Sequence, residues 1–242
     1  MRAKWLIILI NRRYLYALAF LACLILGFFL WQQPVIRTIL PLSNMVSGRK
    51  VVIDAGHGGG DPGAKSASGL AEKEINLDVA LKLKKHLSRV GVYCIMTRET
   101  DRDFFDQRGH GYNLSKKQLD LRYRIFIANR SNADLFLSIH ANSFPQIIYR
   151  GAQTFYNKKS PASKKLAEAI QHSMVRALGP NKRVPKPGDF RVLNETQMPG
   201  VTVEIGFLSN VEEALLLKTP AYREKIAEAI CQGIIDYFTH NS

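Results

Sequence analysis

Four residues have types and positions that together could hold a metal ion and hydrolyse a bond: His57, Glu72, His140 and Glu204. His57 stands in Asp54-Ala-Gly-His-Gly-Gly-Gly and His140 in Ser138-Ile-His-Ala-Asn, each expected just past the carboxyl end of a short apolar strand. In open α/β sheets that edge is where ligands bind. Glu72 follows the glycine loop and opens a helical segment, so it can project toward the same edge. Two imidazoles and one carboxylate form a three-ligand zinc set with a fourth position open to water. Glu204 alternates with Val203 and Ile205, which places it on the opposite face of a strand from its apolar neighbours, where an unpartnered charge is expensive.

Singly, each residue has an ordinary explanation. A histidine at a strand end can be a hydrogen-bonding structural group, Glu72 a first-turn acid complementing the helix dipole, and Glu204 a partner for Arg98 or Arg124. Gly58, Gly60 and Gly63 satisfy GxGxxG formally, but Pro62 interrupts the pattern and the helix starts only near Ala71, so a dinucleotide loop does not follow.

The elements that must carry these residues are legible as runs. Val51 to Asp54 reads as a strand, Gly56 to Gly69 as a loop, and Ile75, Val79, Leu83 and Leu87 recur at helical spacing. Val92 to Thr97 predicts a strand, Asp101 to Lys117 a long polar loop, and Leu119 to Ala128 a helix. Leu135 to Ile139 is a nearly continuous apolar run, as in a strand covered on both faces, and ends at His140. Gln153 to Tyr156 predicts a strand, Ser163 to Leu178 a helix, and Gly179 to Gly188, with three prolines, a mobile rim. Ala221 to Phe238 closes the chain as a helix. Strands alternating with helices predict a single-domain α/β sandwich with a mixed, mostly parallel central sheet and helices on both faces.

Residues 14–31 carry no charge across eighteen positions, nearly enough helix to cross a hydrocarbon core of about 30 Å. Arg2, Lys4, Arg12 and Arg13 precede that run. The positive-inside rule then sets residues 1–13 in the cytoplasm, 14–31 as an uncleaved transmembrane signal-anchor, 32–47 as a linker and 48–242 as an extracytoplasmic catalytic domain. The predicted location is therefore the cell membrane, single-pass. A net charge of +14 suits an anionic envelope, and no interleaved aromatic and basic stripe of the RNA-binding kind accompanies it, so nucleic acid is not an expected partner. Cys23, Cys94 and Cys231 share no CxxC spacing and predict neither a disulfide framework nor a cysteine zinc site.

The strings Val52-Ile-Asp-Ala-Gly-His-Gly-Gly-Gly-Asp-Pro-Gly-Ala, Glu72-Lys73, Ser138-Ile-His-Ala-Asn-Ser and Val203-Glu-Ile-Gly-Phe-Leu-Ser-Asn occur in the order seen in the zinc-dependent N-acetylmuramoyl-L-alanine amidases of type 3. The chain resembles that family from about Lys50 to Phe238. The resemblance implies one zinc per chain held by His57, Glu72 and His140, with Glu204 as the catalytic carboxylate. Glu72 is preferred to Glu74 because the family's ligand directly precedes a lysine. It also implies hydrolysis of the amide between the lactyl group of N-acetylmuramic acid and L-alanine of the stem peptide in peptidoglycan. Arg108-Gly-His-Gly-Tyr, Arg124 to Asn129 and the short anchor are similar to the CwlD-type spore-cortex germination amidases. That branch implies a role in muramic-δ-lactam formation in the forespore intermembrane space, an activator protein, and a muramic deacetylase acting afterwards. Arg98, Arg124, Asn142 and the loop near Lys182 are candidates for binding glycan or peptide carboxylates. The competing readings are a vegetative cell-wall amidase, a non-catalytic wall-binding module of the same fold, and a metallo-carboxypeptidase.

Overall fold

The computed structural model describes residues 12–31, 45–104, 114–179 and 181–241. It contains two compact units, Met1–Pro41 and Leu42–Ser242. The first holds helix α1 (Arg12–Trp31). Among the described residues no helix is long and apolar enough to cross a membrane. The uncharged run 14–31 lies inside α1, and its side chains at 14, 15, 17 and 27–31 are outside the described residues. The structure thus shows a helix where a span was expected, and does not show a span. Positions 32–44 of the expected linker and Arg108-Gly-His-Gly-Tyr also lie outside the described residues.

The second unit is a six-stranded sheet clad in helices. Its strands are β1 (Lys50–Ala55), β2 (Tyr93–Met96), β3 (Leu135–Asn142), β4 (Gln153–Tyr156), β5 (Lys186–Pro187) and β6 (Gly200–Phe207), in the order β2-β1-β3-β6-β4-β5. β1 runs parallel to β2 and β3, β3 parallel to β6, and β4 antiparallel to β6, so the sheet is mixed and mostly parallel as expected.

Alternation within the central strands divides the core. Val51, Ile53, Leu135, Leu137, Val201 and Val203 face the larger side. There they pack under α2 (Glu72–Arg89), α4 (Pro161–Leu178) and α7 (Pro220–Asn241). In α2 the buried Ile75, Val79, Leu83 and Leu87 form the stripe that the spacing predicted. Val52 and Phe136 face the other side, under α3 (Lys116–Arg130) and the short α5 (Arg191–Glu195), which contribute Ile125, Ala128, Val192 and Leu193. Burying an apolar side chain of this size contributes roughly 1.5–3 kcal/mol. The larger core therefore carries most of the stability, and the thinner side has room for a cleft.

α3 starts at Ser115, whose hydroxyl accepts from the Gln118 N–H while the Gln118 side chain accepts from the Ser115 N–H, a capping box. Three short elements, β5, α5 and α6 (Val211–Lys218), were not anticipated. The 179–188 stretch is not a free rim. β5 pairs with β4, and Arg183 donates to the Arg150 carbonyl at 2.6 Å and to Gln153 Oε1 at 2.9 Å.

Candidate metal centre

Register places the chemistry on the thinner side. His140 sits opposite Glu204 and Ser138 opposite Thr202 across the β3–β6 pair, while Asp54 of β1 lies opposite Ser138. His140 lies within β3 rather than past its end, because pairing with β6 continues through His140 and then shifts register before Asn142.

The turn after β1 brings in His57, whose φ of 62° is the left-handed conformation, uncommon outside glycine. Two buried guanidinium groups hold the turn. Arg98 donates to the carbonyls of Ala55 (2.8 Å) and Gly56 (3.0 Å), and Arg124 to those of Ala55 and His57 (both 2.7 Å). Arg124 also donates to Asp54 Oδ1 at 2.7 Å and Asp120 Oδ2 at 2.6 Å, while Asp54 takes the Thr97 and Ser138 hydroxyls. Burial alone would raise the Asp54 carboxyl; Arg124 and the two hydroxyls outweigh it and keep the group ionised. These arginines, 1% and 2% exposed, are thus committed to the turn, which corrects their reading as ligands for substrate carboxylates or partners of Glu204. Asn142 Oδ1 accepts from the Ser143 N–H, and Lys182 borders a separate hollow with Tyr149 and Arg150.

His57, Glu72 and His140 meet at this turn, each offering one ligand atom within 4.8 Å of the others. Glu72 Oε2 lies 3.2 Å from His57 Nε2, and Oε1 lies 2.9 Å from His140 Nδ1. The Ala64 and Ala141 N–H groups also donate to the two Glu72 oxygens. Burial would push this carboxyl up, but hydrogen bonds and charge from His140 and His57 outweigh it and hold it far below its ordinary range. His140 moves the opposite way: Glu72 overcomes the effect of burial and raises it. Glu74, next to the ligand candidate, is exposed and outside the cluster.

Backbone must come close for this to work. A Cβ at Gly56 would lie 2.2 Å from the His140 ring, and one at Gly63, where φ is 66°, 2.5 Å from Glu72 Oε2. Asp61 was not singled out in the sequence, although it is the one acid in the glycine loop and lies four residues after His57. Its Oδ2 is 2.8 Å from His57 Nδ1, so the other ring nitrogen faces Glu72.

Glu204 is 9% exposed, and its Oε2 has no hydrogen-bond partner. Burial, with Glu72 adding to it and His140 opposing, pushes its carboxyl up to about 7. Together with His57 and His140 it floors a cleft of about 180 Å³, walled by Lys117 and Leu121 of α3 and by Phe190 at the start of α5. The donor set fits zinc: two imidazoles and a carboxylate converge, and a buried carboxyl oxygen of Glu204 beside them has no hydrogen-bond partner. Among the described residues a second group, His86, Glu224 and Glu228, also brings ligand atoms together, on α2 and α7 away from the cleft.

A family model described as N-acetylmuramoyl-L-alanine amidase matches residues 51–236. The germination-specific N-acetylmuramoyl-L-alanine amidase of Bacillus subtilis (strain 168) is 41% identical over 201 residues, covering 82% of this chain and 84% of the relative. N-acetylmuramoyl-L-alanine amidase LytC of the same organism is 36% identical over 199 residues, 81% of this chain but 37% of LytC. Among solved structures, the CwlD amidase from Clostridioides difficile in complex with the GerS lipoprotein is 40% identical with a TM-score of 0.77, covering 80% of this chain and all of that one.

Proposed function

The chain belongs to the N-acetylmuramoyl-L-alanine amidase family, and on that premise we propose that it is a zinc-dependent hydrolase cutting the lactyl–L-alanine amide of peptidoglycan. The observation that carries this reading is the convergence of His57, Glu72 and His140 in one cleft with a buried, unpartnered Glu204 carboxylate. Zinc held by those three residues would supply Lewis acidity toward the amide carbonyl and acidify water in its open position.

The chain's own groups supply the rest. Glu204 takes a proton from the attacking water as oxygen adds to the carbonyl carbon. It then returns that proton to the amine nitrogen as the C–N bond breaks, leaving a free L-alanine amine and a lactyl carboxylic acid that ionises to the carboxylate by releasing its proton to solvent. The position of Glu204 opposite His140 across the β3–β6 pair puts it beside the ligand cluster. Asp61 fixes the His57 ring, and the Arg98 and Arg124 guanidiniums hold the turn that carries it.

The test compares metal content and muropeptide products of wild type, Glu204→Gln and His140→Ala. Glu204→Gln is expected to keep one zinc and lose hydrolysis, and His140→Ala to lose both. Ordinary turnover by a zinc-loaded Glu204→Gln chain would overturn the assigned role.

The names of the relatives at 41% and 40% identity support a germination role, in which stem-peptide removal prepares muramic residues for δ-lactam formation by a deacetylase. The lipoprotein in the CwlD complex supports a comparable partner acting as activator here. LytC supports the vegetative alternative; muramic-δ-lactam missing from the cortex of a deletion strain would decide for the spore. Residues 14–31, uncharged and preceded by four cations, support an anchor with the amidase unit on the outer side of the membrane.

A further inference from the structure

We infer that Lys117 is a specificity residue of the cleft, receiving a carboxylate of the stem peptide on the amine side of the scissile amide. This rests on the amidase reading.

Three cations border the cleft, Lys117, Arg124 and Arg191. Arg124 is buried and held by Asp54, Asp120 and two turn carbonyls. Arg191 grips both carboxylate oxygens of Glu195 one helical turn away. Lys117 differs, because its side chain is 75% exposed and its ammonium stands 3.7 Å from Asp61 Oδ2, a loose pair that water screens. That same Asp61 oxygen is 2.8 Å from His57 Nδ1, which puts the ammonium one carboxylate away from the ligand cluster.

Its placement also runs against local preference. Lys116 and Lys117 occupy the first turn of α3, where no acid is present and where the helix dipole favours anions. A residue that breaks a local rule at the mouth of a cleft points to a ligand that compensates it. The cleft supplies a reason: of the three cations that line it, Lys117 is the one whose ammonium is exposed and not already held by close carboxylate or carbonyl partners, so it is the one able to meet an incoming carboxylate. Leu121 and Phe190, which share the walls with it, are apolar and offer a carboxylate no donor.

The test uses the full zinc-loaded chain and two muropeptides that differ only in whether the carboxylate of the second stem residue is free or amidated. Lys117→Met is expected to raise KM for the free-carboxylate substrate about fivefold, leaving kcat and the amidated substrate's KM unchanged, with Lys117→Arg restoring most of the loss. Calorimetric binding of the same pair to Glu204→Gln and to Glu204→Gln/Lys117→Met reads the contact without turnover, and the same fivefold selectivity should vanish with the lysine. Equal effects on both substrates, or no effect, overturn the inference. Lysine-dependent binding by a wild type that cuts neither substrate keeps it and instead overturns the amidase reading.

Discussion

His57 delivers one nitrogen to the ligand cluster because Asp61 takes the other. Such outer partners fix ring orientation and raise ligand basicity, and their loss typically weakens metal binding about 10–100-fold. Asp61→Ala is expected to show that loss in a chelator competition, with the fold intact because Asp61 is half-exposed and outside the core. Unchanged zinc affinity would remove Asp61 from the site. Glu204 makes a second prediction, for the metal-free chain. Its folded carboxyl titrates near 7, above the ordinary 4.5, so between those values the unfolded chain sheds a proton that the folded chain keeps. Stability therefore falls as pH rises through that window, by up to about 3 kcal/mol at 1.36 kcal/mol per unit. Glu204→Gln should raise the Tm of the metal-free protein more at pH 8 than at pH 5; an equal shift at both would show that Glu204 is not held protonated by burial.

At the scale of elements, the site is a turn between β1 and α2 closed against β3. Gly63 is where that turn passes Glu72: at a φ of 66° any side chain is strained, and a methyl would sit 2.5 Å from the ligand oxygen and 2.7 Å from the His57 ring. Gly63→Ala is expected to lower zinc affinity at least tenfold while circular dichroism stays native, whereas Gly69→Ala, where nothing lies within 4 Å, should leave zinc binding alone. Equal zinc loss in both would mean that backbone strain, not crowding of the ligands, sets the effect. The elements that place the ligands were legible because each carries a continuous or periodic apolar pattern: β1, α2, β3 and β6 lie where the apolar spacing put them. α5 was not, since five residues between prolines and glycines carry too little pattern, yet Phe190 at its start walls the cleft. The roles of Arg98 and Arg124 stayed open in the sequence for another reason. A guanidinium reads as exposed from type alone, and only the turn's upturned carbonyls at 55, 56 and 57 explain burying two of them side by side. Burial and the nearby Arg124 charge draw Arg98 down to about 10, still ionised at neutral pH.

At the scale of the whole molecule, the chain carries a net charge of +14. Five cations and no acid fall in residues 1–42, so much of that excess sits with the first unit, and the remainder would draw the second toward an anionic wall. The described apolar side chains of α1 are exposed, Tyr16, Leu18 and Phe20 by 65–72%, a surface that water does not favour and hydrocarbon does. Four of those five cations precede the uncharged run 14–31, and Arg37 follows it. On the anchor proposed above, the full chain is expected to stay with membranes through carbonate extraction, while a fragment from Leu42, where the second compact unit begins, stays in solution with its zinc affinity unchanged. A protease added outside intact cells should reach the second unit and spare Met1. Release of the full chain by carbonate would remove the anchor, and with it the means of holding the amidase at the membrane; release only by detergent, with the fragment soluble and metal-loaded, would assign α1 to attachment and the Leu42–Ser242 unit to chemistry.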